Sequence, residues 1–210
     1  MHAYWVEFIG LMAVFGLAAI MPGIDFTMVL RQSIANGRKA GIFTSLGIAS
    51  AVFVHATYTI LGVGLIISQS ILAFNIIRFL GAAYLLYLGI QSLRAPAPEP
   101  AKLDVGAVNA SQSIFKSFGI GFLTNLLNPK ATIFFVSVFT TLVSLSTPIH
   151  IQFGYVSVMA FVLFSWFSLV AVFFTTPKVR AGFYAMGKWF NRATGAVLIG
   201  MAAKVALTQR

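Results

Sequence analysis

The chain has 210 residues, 59% of them hydrophobic and 9% charged, with a mean hydropathy of +0.93 and a formal net charge of +10. That composition excludes a soluble globular domain and fits an all-α polytopic membrane protein, embedded in a lipid bilayer. The lack of cysteine excludes disulfide frameworks, thiolate metal sites and thiol redox chemistry; the basic residues lie between apolar runs, which points to membrane orientation and away from nucleic acid.

Six spans are expected, over Tyr4 to Leu30, Ala40 to Ile67, Ile71 to Leu93, Ile114 to Ser146, His150 to Phe174 and Trp189 to Leu207. The start Met1-His2-Ala3-Tyr4-Trp5 has no Lys or Arg, and the first apolar run is too long for a signal-peptide core, so this span is expected to be retained. Met21-Pro22-Gly23-Ile24-Asp25 interrupts it. Asp25 is the one carboxylate well inside an apolar segment; Glu7 lies near the outer edge, and Glu99 and Asp104 lie in the linker. An intramembrane carboxylate costs several kcal/mol unless it is paired or faces water, which marks Asp25 as a functional candidate. Capping of a half-helix beginning at Phe26 is the other role open to it, and the two can coexist.

The second span carries His55, beside Thr57 and Tyr58, and two readings stand: a hydrogen-bonded structural residue or a proton relay. Gly41, Ser45 and Ala49, spaced by four, form a small-residue stripe suited to close helix packing. After the third span, Arg94 to Ser113 contains Ala95-Pro96-Ala97-Pro98-Glu99-Pro100 and reads as an extended linker between two halves, 1–93 and 114–210.

The fourth run, Ile114 to Ser146, carries a single deep charge, Lys130, and is too long for one straight span: 33 residues of helix measure about 50 Å against roughly 30 Å of hydrocarbon. Asn128-Pro129 sits near its middle, and proline there predicts a break. Broken helix is tolerated in lipid only where the freed backbone faces protein or a polar cavity, so Thr124, Asn125, Asn128 and Lys130 are expected to converge on one. Half-helix N-termini after Pro22-Gly23 and Asn128-Pro129 favour a ligand carboxylate, and Asp25 favours an ammonium; a zwitterion suits both. Lys130 also has a structural reading, as a charge neutralising Asp25. Most of the 21 phenylalanines are expected to face lipid, with Trp5 and Trp189 as interfacial anchors.

The segments after spans one, three and five hold ten Lys and Arg; the opposite side holds Arg78, Lys204 and Arg210. This bias puts the linker in the cytoplasm and both termini outside. Three spans per half make the second half inverted, and Arg78-Phe-Leu-Gly81-Ala82 is matched by Arg192-Ala-Thr-Gly195-Ala196 at the start of the sixth span. No zincin, nucleophile-elbow, Walker or paired-aspartate motif appears, so an enzyme is not expected and no cofactor is called for. His55 and Asp25 are too few for a cation cage, so no metal site is expected.

Pro22-Gly23-Ile24-Asp25, Asn36-Gly37-Arg38-Lys39-Ala40-Gly41 with Leu46-Gly47, Arg78-x-x-Gly81-Ala82-x-Tyr84-Leu85-x-Tyr87-Leu88-Gly89, and Gly121-Phe-Leu-Thr-Asn125-Leu-Leu-Asn128-Pro129-Lys130-Ala131 together resemble the LysE/RhtB amino-acid exporters. The likeness runs over nearly the whole chain, and the Asn-Pro-Lys stretch is its most specific part. It implies export of amino acids or close derivatives across the bacterial inner membrane, driven by the proton gradient, with Pro22, Gly23, Asp25, Asn125, Asn128, Pro129 and Lys130 as functional positions. The family's Pro-Gly-Pro is here Pro22-Gly23-Ile24. The expected partners are thus a small zwitterionic amino acid and protons, with the oligomeric state open, a homo-oligomer included. A transporter of another small solute or of a metal ion on a related fold is the alternative, and a non-transporting scaffold leaves the deep Asp and Lys without a use.

Overall fold

The computed structural model describes residues 2–95, 112–144 and 146–207. Among them the chain is helical throughout: α1 (His2–Ile20), α2 (Ile24–Asn36), α3 (Arg38–Gln69), α4 (Ile71–Arg94), α5 (Ile114–Leu126), α6 (Pro129–Leu142), α7 (Ile149–Phe173), α8 (Pro177–Ala185) and α9 (Gly187–Leu207). Most of the expected Pro-rich linker, 96–111, lies outside the described residues.

The helix ends follow the local chemistry. Gly37, at φ 86°, separates α2 from α3; that left-handed value favours glycine. Ser70 caps α4 by accepting from the Ala73 N–H at 3.1 Å, and Asn128 caps α6 in the same way, with Pro129 at the first helical position. The short α8 also opens on a proline, Pro177, within the connection between the fifth and sixth expected spans.

Three single helices, α3, α4 and α7, are long and apolar enough to cross a membrane. Two bent pairs, α1–α2 at 51° and α5–α6 at 59°, bring that number to as many as five. Both expected breaks are therefore present, and replacing the family's second proline by Ile24 leaves the first nearly as sharp as the second. The residues expected to form the sixth span make up α9, a helix about 31 Å long, but Lys188, Arg192 and Lys204 make it more polar, and it is not among those five candidate spans.

α3 packs most extensively on α5 and α7, and α4 on α9 and α6. The α3–α5 contact is close to backbone on backbone. A Cβ at Gly47 would overlap the Phe118 carbonyl oxygen and lie 2.7 Å from Phe122 N; one at Gly121 would overlap the Thr44 carbonyl oxygen and lie 2.8 Å from its carbon. Small residues let membrane helices approach this closely. Gly121→Val is expected to cost on the order of 3 kcal/mol, because two helix backbones must separate. Gly119→Ala, where a Cβ meets nothing within 4 Å, should leave stability unchanged or raise it slightly. Thermal unfolding in detergent compares the two.

The small-residue stripe packs as expected: a Cβ at Gly41 would overlap Ser33 of α2 and lie 2.9 Å from Ala171 Cβ of α7. The phenylalanines follow expectation only in part: eight of the 21 are buried. Phe15, Phe26, Phe134, Phe135, Phe139, Phe167 and Phe174 are among these, and Phe26 stacks on Phe183 at 5.6 Å. Offset and edge-on ring contacts give packing that lipid chains do not replace. Trp5 and Trp189 are exposed, as anchors should be. The two matched triads make different contacts: Gly81 faces Ser137 of α6, whereas Gly195 faces Gly89 and Leu93 of α4.

Candidate functional site at the helix breaks

Pro129 organises this region by what it lacks. In continuous helix its N–H would bond the carbonyl of Asn125, four residues back; proline has no such donor. The Asn125 carbonyl is instead approached by Asn128 N at 3.0 Å and by His55 Nε2 of α3 at 3.1 Å. A carbonyl only accepts, so Nε2 carries the proton in this contact. Nδ1 of the neutral ring then accepts from the Tyr58 hydroxyl, 2.6 Å away. His55 is fully buried and stacks on Phe135 of α6, with centroids 5.4 Å apart and planes at 10°. Tyr58, one turn on from His55, has Thr132 of α6 beside its hydroxyl, and Thr132 Oγ1 donates back to Asn128 O at 3.4 Å. Thr57 points elsewhere and bonds back to Phe53 O.

The same break faces the first one. Asp25 lies in the opening turn of α2, but the cap position belongs to Gly23, and no side chain caps that helix. The capping role open to Asp25 is therefore not taken. Its carboxylate crosses to α5, where Oδ2 accepts from Asn125 Nδ2 at 2.9 Å. Oδ1 is buried and makes no hydrogen bond, and the same holds for Asn125 Oδ1. Asn128, buried, lies beside the carboxylate, and its own Oδ1 accepts from Lys130 N at 3.0 Å. Lys130 and His55 are close enough to interact with the Asp25 charge. The Lys130 ammonium makes no hydrogen bond or ion pair among the described residues, so it does not neutralise Asp25 by direct contact.

Asp25, His55, Asn125, Asn128 and Lys130 thus come together from α2, α3, α5 and α6, with Pro22, Gly23 and Pro129 at the breaks that place them. Thr124 does not join them; its hydroxyl bonds back to Ile120 O at 2.7 Å. Nor does the cluster line the cavity of about 590 Å³ found in this fold, which lies among α1, α4, α6 and α9. Tyr58 and Thr132 are additions to the sequence-derived set. The spacing of three between His55 and Tyr58 is the signal that could have found the first.

Two buried oxygens without donors, one of them a carboxylate oxygen, define the chemistry. Burying such acceptors unpaired is costly. A proton on Asp25 or an ammonium between the two oxygens would satisfy them. Lys130 and the start of α6 supply positive charge on the adjacent side, where an anionic group would be favoured.

The model of the LysE type translocator family matches residues 16–209. The chain is 33% identical over 194 residues to a threonine efflux protein of Salmonella typhi, covering 92% of this chain and 94% of that one. It is 31% identical over 202 residues to a threonine efflux protein of Escherichia coli strain K12, with the same coverage. A leucine efflux protein of Salmonella choleraesuis is 29% identical over 217 residues, covering 98% and 95%. No solved structure matches the chain.

Proposed function

The chain belongs to the LysE type translocator family, and from that premise we propose that it exports an amino acid across the bacterial cytoplasmic membrane in exchange for protons. The observation that carries this is the buried Asp25 carboxylate at the meeting of two helix breaks, with one oxygen bound by Asn125 and the other without a donor. Such a group holds a proton or a substrate ammonium, but not both, and exclusive occupancy is the elementary requirement of antiport. Lys130 and the α6 N-terminus take the substrate carboxylate; His55, which feels the Asp25 charge and is hydrogen-bonded to Tyr58, is the relay group beside it.

In this reading α9 is the sixth span, the two three-span halves are inverted, the Arg94 to Ser113 linker is cytoplasmic and both termini are outside. Names of relatives point to threonine and leucine as first substrates to try. The test is uptake of either into vesicles holding the purified protein, with and without a pH gradient. Accumulation that needs the gradient, and is absent for the corresponding amino-acid carboxamide, is the expected result. Gradient-independent equilibration alone removes antiport, and no movement of any amino acid removes the exporter reading.

A further inference from the structure

The cavity of about 590 Å³ that the Asp25 cluster does not line falls within the roughly 300–1,000 Å³ of small-ligand sites. It is formed where α1 and α4 begin and α6 and α9 end, the side away from the linker. Its walls include Glu7, Asn75, Arg78, Thr140, Ser144 and Lys204. The sequence keeps few charges on this side: apart from Arg210, outside the described residues, its only lysine or arginine residues are Arg78 and Lys204, and its one acid is Glu7. All three line this cavity, though they come from three helices separated by at least 71 positions. Basic residues are disfavoured on the outer face of a membrane protein, so their convergence calls for a ligand or a function.

Resting on the exporter reading above, we propose that this cavity is an exit-side binding site for the transported amino acid, distinct from the Asp25 cluster. The substrate carboxylate is held by Arg78 and Lys204, and its ammonium by Glu7.

The two signs of charge are held by different helices. Arg78 is buried about 10 Å along α4 from its start, and its guanidinium donates to the Val205 carbonyl of α9 at 3.4 Å. That contact fixes it between α4 and α9. Lys204 is exposed one residue before that carbonyl. Glu7 sits on α1, also in the cavity wall, and is fixed by two donors from the connection between α6 and α7: Ser144 N to Oε1 at 3.1 Å and Thr147 Oγ1 to Oε2 at 2.8 Å. Each carboxylate oxygen has further acceptor capacity for an ammonium. Asn75, Thr140 and Ser144 add neutral polar groups to the wall. A purely anionic ligand would have no use for Glu7, and a purely cationic one would meet Arg78 and Lys204; a zwitterion uses all three.

The experiment is amino-acid counterflow in vesicles of phosphatidylcholine holding oriented protein, with threonine and leucine as probes on each side in turn. Lys204→Met is the first variant, because Lys204 is exposed and the change keeps the length of its side chain, and Glu7→Gln the second. Each is expected to raise the half-saturating concentration on the outer side about tenfold, the loss of one charged hydrogen bond in a partly wet site, and that on the inner side by much less. A structural defect would raise both alike. Equal shifts on the two sides, or none on the outer side while the wild type exchanges normally, overturn this site and leave the exporter reading intact. A wild type that exchanges neither probe overturns both. Adding anionic lipid to the vesicles should not change the outer value; a rise that Lys204→Met abolishes assigns the cavity to lipid headgroups and overturns the proposal.

Discussion

Asp25→Asn is expected to reduce proton-driven accumulation to the level of vesicles without protein, while the chain still inserts and folds. The substitution keeps the side-chain shape, and its oxygen still accepts from Asn125 Nδ2, the 2.9 Å contact that joins α2 to α5. Where Oδ1 stood without a donor, the new amide presents hydrogens toward Asn125 Oδ1 and Asn128, which lacked or shared them. Removing an unpaired buried carboxylate oxygen should stabilise the fold by about 1 kcal/mol. Function is lost for the opposite reason: an amide neither binds a proton nor attracts an ammonium strongly. The measurement pairs unfolding in detergent with uptake under an imposed pH gradient. Stable protein with no gradient response is the expected combination. Unchanged uptake with an unchanged dependence on pH would reduce Asp25 to a helix-joining residue.

The spans and their breaks were readable because each rests on a one-dimensional signal. Apolar runs mark the helices of α3, α4 and α7, and a proline inside a long run marks a bend wherever it falls. α8 was not readable, since Lys178 and Arg180 look like loop charges until Pro177 is seen to open a helix of nine residues. Asp25 stands out in the sequence by its depth alone, but its contact does not: the bond to Asn125 joins positions 100 apart, and periodicity says nothing about which helices meet. The Asn125 carbonyl is the clearest case. Pro129 announces that this group has lost its donor, yet only the packing of α3 on α5 shows that His55 replaces it, 70 positions away. Glu7, Arg78 and Lys204 were each visible as charges on the sparse side of the chain. Their convergence needed three helices to be placed together.

That replacement makes the bend at Pro129 and the burial of His55 one device, and a double-mutant cycle can show it. Pro129→Ala restores a backbone N–H opposite the Asn125 carbonyl, so α5 and α6 can close into one helix and lose their 59° bend. Proline is well tolerated at the first position of α6, so the gain in stability should be modest, about 1 kcal/mol. Transport should fall to background, because straightening carries Asn125 and Asn128 away from Asp25. His55→Phe keeps an aromatic ring stacked against Phe135 and removes both nitrogens. In the wild-type background it strips the Asn125 carbonyl of the His55 donor and takes from the Tyr58 hydroxyl its Nδ1 acceptor, at a cost of about 1–3 kcal/mol. In the Pro129→Ala background the backbone supplies that donor, so the cost of His55→Phe should shrink by about 1 kcal/mol or more, a coupling well above that of independent sites. Unfolding of the four proteins in one detergent gives the cycle directly. Equal costs in both backgrounds would mean that His55 is held by its ring contacts and by Tyr58 alone. Wild-type transport in Pro129→Ala would show that the cluster works without the bend.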